Sequence, residues 1–144
     1  MPTQLPPPYL TVLVVDDERI SRHVASRMLR ELGLRVLEAD GAEEAVDVFR
    51  IAQRPIDLIL LDVVMPETDG VELAKQILAH RPGQRILFMS AHPAEVLAEH
   101  GLQDLDLRFL AKPYTMDELL AKVRQAMDGQ VSPSANPAVS PKSP

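Results

Sequence analysis

Cysteine is missing from all 144 residues. That removes disulfides, thiolate metal sites and a cysteine nucleophile from consideration. No apolar run approaches the roughly 20 residues needed to cross a bilayer, so contact with a membrane is not expected. The first eight residues have neither a basic nor an apolar leader segment. This argues against a secretory signal and for a soluble, cytoplasmic protein. Positive charge is in deficit: 15 Lys and Arg stand against 21 Asp and Glu, a formal net charge of -6. That balance argues against a chain that grips nucleic acid by its phosphates. The six glycines, at 33, 41, 70, 83, 101 and 129, form neither G-x-G-x-x-G nor a P-loop, which disfavours a nucleotide cradle.

What remains is ordinary globular composition, 46% hydrophobic and 25% charged, in a length that suits one domain. The two ends differ from the middle. Residues 1–9 hold four prolines, and residues 130–144 hold four more with no aromatic residue. Both are read as disordered tails around a folded region of residues 10–129. Within it, strand and helix patterns alternate. Thr11–Val15 is a β-branched run suited to a strand buried on both faces. A helix follows through about Glu31, with Ile20, Val24, Met28 and Leu32 as its apolar stripe and Gly33 at its end. Leu34–Leu37 is a second strand. Asp40 is placed to cap a helix over Ala42–Ile51 with Ala45, Val46 and Phe49 inward. Leu58–Leu61 is a third strand, Val71–Ala79 a helix and Arg85–Met89 a fourth strand. A short helical pattern covers Pro93–Glu99 and stops before Gly101. Arg108–Leu110 is a fifth strand. Thr115 and Glu118 have capping-box spacing for a last helix bearing Leu119, Leu120, Val123 and Met127. Five β–α pairs predict an α/β fold, a doubly wound parallel sheet of flavodoxin-like strand order 2-1-3-4-5.

Four of the five strands deliver polar residues at or just past their C-terminal ends: Asp16 and Asp17, Asp62, Ser90, and Lys112. In such a sheet these ends form one rim, with a ligand crevice at the switch point between the first and third strands. Asp16, Asp17 and Asp62 flank that point. Three crowded carboxylates repel one another or take up protons unless a hard divalent cation joins them, and oxygen ligands suit Mg2+. With a cation present, Asp62 can act as a nucleophile toward a phosphoryl group. Lys112 can neutralise charge and the Ser90 hydroxyl can donate to a phosphoryl oxygen.

The motifs Val14-Val15-Asp16-Asp17-Glu18, Asp62-Val63-Val64-Met65-Pro66 with Asp69-Gly70, Met89-Ser90-Ala91 and Lys112-Pro113-Tyr114 occur in this order. With them the chain resembles a response-regulator receiver domain across nearly all of residues 10–128. The resemblance implies that Asp62 is the phosphoacceptor of a two-component phosphorelay. It implies that Asp17 and the Val64 carbonyl ligate Mg2+ with Asp16 assisting, and that Lys112 pairs with the phosphoryl group. By the same resemblance the Lys112–Pro113 bond is cis, Ser90 is a switch hydroxyl and Phe109 is a rotating aromatic. Partners would be a histidine kinase or histidine phosphotransfer protein and a downstream protein. Phosphorylation would reshape the face built from the fourth helix, fifth strand and fifth helix, in a monomer or a phosphorylation-dependent dimer. Such a domain helps to catalyse its own phosphorylation without being a turnover enzyme. The stretch from Ile86 to Leu97 is also similar to the terminal receivers of hybrid histidine kinases.

Plainer readings stand beside these. An Asp-Asp pair is commonly a solvated turn, a serine past a strand is a turn or capping residue, and Lys112 could be a surface lysine. Phe109 could be a packed edge aromatic. His23, His80, His92 and His100 show no metal-ligand spacing, although His92 lies two residues past Ser90. The rival enzyme class is an Mg2+-dependent phosphatase of the haloacid-dehalogenase type. It wants a second aspartate two residues after the nucleophile, where this chain has Val64. A receiver-like adaptor that is never phosphorylated predicts loss of Asp17, Asp62 or Lys112, and all three are present. Val64 also departs from the polar residue many receivers have there to orient a hydrolytic water. Slow self-dephosphorylation is therefore expected, with His92 as the nearby counterweight. A mobile or partly unwound segment is expected at residues 93–100.

Overall fold

The computed structural model of the chain describes residues 10–52, 55–65, 69–92, 95 and 109–128. The proposed tails, most of the proposed fourth helix and Arg108 lie outside them. β1 (Thr11–Val15) is buried at all five positions, as its continuous apolar run requires. It pairs in parallel with β2 (Arg35–Ala39) on one side and β3 (Leu58–Asp62) on the other. β4 (Arg85–Ser90) and β5 (Phe109–Ala111) extend the sheet to give the order β2-β1-β3-β4-β5. The strand order is the one read from the alternating pattern.

The two-residue side-chain period divides the interior into two layers. Leu13, Val15, Ile59, Leu61 and Phe88 face one side and pack with Ala45 of α2 (Ala42–Ile51) and with Leu73, Ala74 and Ile77 of α3 (Gly70–His80). Val12, Val14, Leu58, Leu60, Leu87 and Met89 face the other. They meet Ala25 and Leu29 of α1 (Arg19–Glu31) and Leu119 and Val123 of the last helix, Met116–Asp128. Fully burying each such Leu or Val removes it from water at a gain of about 1.5–3 kcal/mol, which drives the layering.

Local signals explain three of the helix ends. Gly33 has φ 91, the left-handed conformation that closes α1. Thr115 Oγ1 accepts from the Glu118 N–H at 3.1 Å while Glu118 Oε1 accepts from the Thr115 N–H at 2.8 Å, a reciprocal capping box. Asp69 caps α3 through the Val71 N–H.

Several expectations need correction. Ile20 and Val24 do not face the core: they are 74% and 42% exposed, and Ala25, Ser26 and Leu29 are buried instead, while Leu32 is buried as expected. Asp40 does not cap α2. Its own N–H donates to Glu44 Oε1 at 2.7 Å, and Gly41 occupies the cap position without a side-chain bond. β2 starts one residue further along the chain than the sequence pattern suggested, and β5 runs one residue past Leu110, to Ala111. Phe109 is buried, with its ring 5.3 Å from that of Phe88.

Candidate functional site

The strands end where their apolar runs end, and the polar residues that follow collect at one rim. Asp16 is the first residue past β1. Its N–H still donates to the Ala39 carbonyl at 3.2 Å, so the pairing of β1 with β2 carries it into the rim. Its side chain is fully buried. Oδ1 accepts from the Glu18 N–H at 2.9 Å and Oδ2 from Lys112 Nζ at 3.2 Å. Asp62 is the last residue of β3 and is 7% exposed. Its Oδ2 lies 3.7 Å from Lys112 Nζ, and its Oδ1 accepts a long 3.4 Å bond from the Val64 N–H. Asp17 is exposed beside them, and one carboxylate oxygen from each of Asp16, Asp17 and Asp62 lies within 4.8 Å of the others.

Lys112 reaches this cluster because the edge strand positions it. Its N–H donates to the Ser90 carbonyl at 2.9 Å, continuing the β4–β5 ladder by one residue, and the Lys112–Pro113 peptide is cis. Ser90 is buried, and its Oγ accepts from the His92 N–H at 3.0 Å. In this conformation Ser90 closes a two-residue turn, the plainer of its two readings, while its hydroxyl proton remains available to a further acceptor. His92 and the Val64 side chain are exposed.

Electrostatics set the character of the pocket. Burial pushes the Asp62 carboxyl up to about 7. The Lys112 ammonium opposes this, while the Asp16 charge and a shared hydrogen bond with Asp16 reinforce it. The pocket thus holds one negative charge more than it tolerates near neutrality. Tyr114, half-buried just past Pro113, senses the same charges: burial and the carboxylates of Asp16 and Asp62 push its hydroxyl up to about 12. A divalent cation fits this arrangement. The donors are all carboxylate oxygens, the hard ligands that Mg2+ takes, and a bound cation would offset the burial that raises the Asp62 carboxyl by favouring its charged form.

Three residues support the site in ways the sequence pattern did not assign. Arg22 Nη1 donates to the Asp16 carbonyl at 2.8 Å, and its Nε lies 3.3 Å from Glu38 Oε1. Gly70, at the start of α3, packs against the backbone of Asp62. Tyr114 carried a signal only by following Lys112-Pro113 directly.

A parallel sheet with a carboxylate crevice at its switch point, no phosphate-binding glycine loop and a lysine reaching in from the edge strand defines an α/β module built to handle a phosphoryl group at an aspartate. Comparison with known proteins narrows this class. A family model for the response regulator receiver domain matches residues 12–124, and the chain belongs to that family, the receiver domains of two-component signalling. It is 35% identical over 129 residues to the DNA-binding transcriptional regulator NtrC of Azospirillum brasilense. That match takes in 89% of this chain and 26% of NtrC, so the chain spans about a quarter of its relative's length. Among solved structures, the receiver domain of the hybrid histidine kinase CckA matches with 34% identity and a TM-score of 0.65, covering 81% of this chain and 98% of that one. The CheX-CheY-BeF3-Mg2+ complex of Borrelia burgdorferi matches with 26% identity and a TM-score of 0.74, covering 83% and 90%. These likenesses lend nothing to the haloacid-dehalogenase alternative. Among the described residues no helix is long and apolar enough to cross a membrane.

Proposed function

We propose that Asp62 is the phosphoacceptor of this receiver domain and takes its phosphoryl group from a phosphohistidine on a histidine kinase or histidine phosphotransfer protein. The observation that carries this reading is the convergence of Asp62 with Asp16, Asp17 and Lys112 from three separate segments of the chain. Asp16, Asp17 and Asp62, with the Val64 carbonyl, would hold Mg2+, an ion also present in the Borrelia CheY complex. When bound, Mg2+ supplies charge neutralisation on one side of the phosphoryl group.

The remaining steps belong to the chain. An Asp62 oxygen forms a bond to phosphorus as the P–N bond of the phosphohistidine breaks. The electron pair stays on the imidazole nitrogen, which takes up a proton. Lys112, already 3.7 Å from Asp62 Oδ2, follows the new charge, giving up part of its pairing with Asp16. The Ser90 hydroxyl donates a hydrogen bond to a phosphoryl oxygen, and the turn it holds at His92 opens. Phe109 is the aromatic that responds, because it lies on β5 directly beside β4 and is stacked on Phe88. β5 and the last helix then present a changed surface to a downstream protein or a second copy of the chain. The chain is a switch and phosphotransfer acceptor, not a turnover enzyme.

The test is incubation with acetyl phosphate and Mg2+ followed by intact mass measurement. The wild type should gain one phosphoryl group and Asp62→Ala should gain none. Equal labelling of both would remove Asp62 from its role.

A further inference from the structure

The three carboxylates of the pocket are not held in the same way. Asp16 is fixed through both its carboxylate and its main chain, since its N–H donates to Ala39 at 3.2 Å and its carbonyl accepts from Arg22 at 2.8 Å. Asp62 is fixed by β3 and Lys112. Asp17 is exposed, and among the described residues none hydrogen-bonds or ion-pairs with its side chain. Its position in the cluster is therefore set by its backbone, beginning with the peptide that joins it to Asp16. The carbonyl of that peptide is the one Arg22 holds.

We infer that Arg22 is a positioning residue for divalent-cation binding: it pins the Asp16–Asp17 peptide and so keeps the Asp17 carboxylate within reach of Asp16 and Asp62. This rests on the metal site proposed above. The guanidinium is suited to the task because its planar fork can serve two acceptors in fixed directions. One arm takes the Asp16 carbonyl and another lies 3.3 Å from Glu38 on β2, the strand that also receives the Asp16 N–H. Arg22 is largely shielded, with 18% of its side chain exposed, so the arrangement is less open to water than the Arg30–Glu38 pair at 3.6 Å, whose arginine is 52% exposed. α1 and β2 thereby act on the pocket although neither supplies a ligand.

The inference has an opposite in simple electrostatics. A guanidinium near three carboxylates repels an incoming cation, so if charge were its whole effect, removing it would tighten cation binding. Positioning predicts weakening. Supporting groups behind metal ligands typically contribute about tenfold or more to affinity, enough to overturn the charge effect.

The experiment measures Mn2+ binding by electron paramagnetic resonance of the free ion, with Mg2+ as competitor. It compares wild type, Arg22→Ala, Arg22→Lys and Arg30→Ala, with folding checked by circular dichroism. Arg22→Ala should bind Mn2+ about tenfold more weakly. Arg22→Lys keeps the charge but not the fork and should fall between the two, which keeps the test open if the alanine variant fails to fold. Arg30→Ala removes a cation that touches Glu38 but not Asp16 and should bind like wild type. Folded Arg22 variants that bind Mn2+ as tightly as wild type, or more tightly, would overturn the inference. Wild type that binds no Mn2+ would instead sink the metal site itself, and the inference with it.

Discussion

Gly70 and Asp62 are in backbone contact: a β-carbon on Gly70 would overlap the Asp62 carbonyl oxygen and stand 2.8 Å from Val63 Cα. The Gly70 N–H meanwhile donates to the Val63 carbonyl at 2.8 Å, so α3 begins hard against the strand that ends in the proposed phosphoacceptor. Neither partner is a flexible side chain that can step aside. Gly70→Ala should cost about 1–3 kcal/mol of stability by overpacking, and it should slow labelling of Asp62 by acetyl phosphate. Urea unfolding and timed mass spectrometry would show both. Unchanged stability would mean that α3 shifts freely.

Asp62 should make the metal-free protein less stable as pH rises. The folded carboxyl is pushed up to about 7 from an ordinary 3.8, so between about pH 4 and pH 7 the native state binds more protons than the unfolded chain. Stability therefore falls through that window, and above it the full penalty of the buried charge is present. Asp62→Asn removes the titration. The variant should gain at least about 1 kcal/mol over wild type on going from pH 5 to pH 8 without metal, since one pKa unit corresponds to about 1.4 kcal/mol. Mg2+ at pH 8 should close much of the gap by stabilising only the wild type. A difference between the two proteins that is flat with pH would contradict this.

Val64 is 64% exposed two residues past Asp62, where its side chain offers a water no hydrogen-bond partner. Phosphate on Asp62 should be lost slowly. Val64→Asn, which can orient a water, should shorten the phosphate lifetime several-fold when phosphorylated protein is followed by mass or by phosphate release. Loss no faster than in wild type would refute the role given to this position.

Ser90→Ala separates acceptance of the phosphoryl group from the response to it. The variant keeps Asp62, Asp17 and Lys112, so it should still be labelled by acetyl phosphate. It loses the acceptor of the His92 N–H, a part-buried hydrogen bond of about 0.5–1.5 kcal/mol, and hydrogen exchange at that amide should speed up. In wild type the same amide should exchange faster once Asp62 is phosphorylated, because Ser90 leaves it for the phosphoryl group. An amide equally protected before and after phosphorylation would show that Ser90 stays in its turn.

The sheet order and the rim were legible because each strand is an apolar run with an abrupt polar end, and because strands and helices alternate. The capping box at Thr115 was legible for the same local reason. The inner face of α1 was misread. Residues spaced by four advance about 40° beyond each full turn, so Ile20, Val24, Met28 and Leu32 wind around the helix instead of lining one side. Only the later part of that series nears the sheet, and Ala25 and Leu29 take the inner positions. The Asp40 cap failed because Gly41 begins the helix and Glu44 turns back to the Asp40 N–H. The supporting roles of Arg22 and Gly70 were invisible for a different reason. Each acts through a backbone carbonyl, and a carbonyl looks alike at every position of a sequence. Their meaning appears only when α1 and α3 are seated against the strand ends.

Ninety-six positions separate the two partners of the Lys112–Asp16 pair. A growing chain that has released Asp16, Asp17 and Asp62 therefore has its acids in hand but not the ammonium that tempers them. Until β5 docks at the sheet edge, the carboxylates have no Lys112, and a cation or phosphoryl donor meets an unfinished pocket. Ligand binding then draws only on molecules in which the last strand is in place, and by mass action it favours them over partly assembled ones. Any nick or truncation ahead of Lys112 should leave a chain that is silent to acetyl phosphate, however much of the remaining sheet survives.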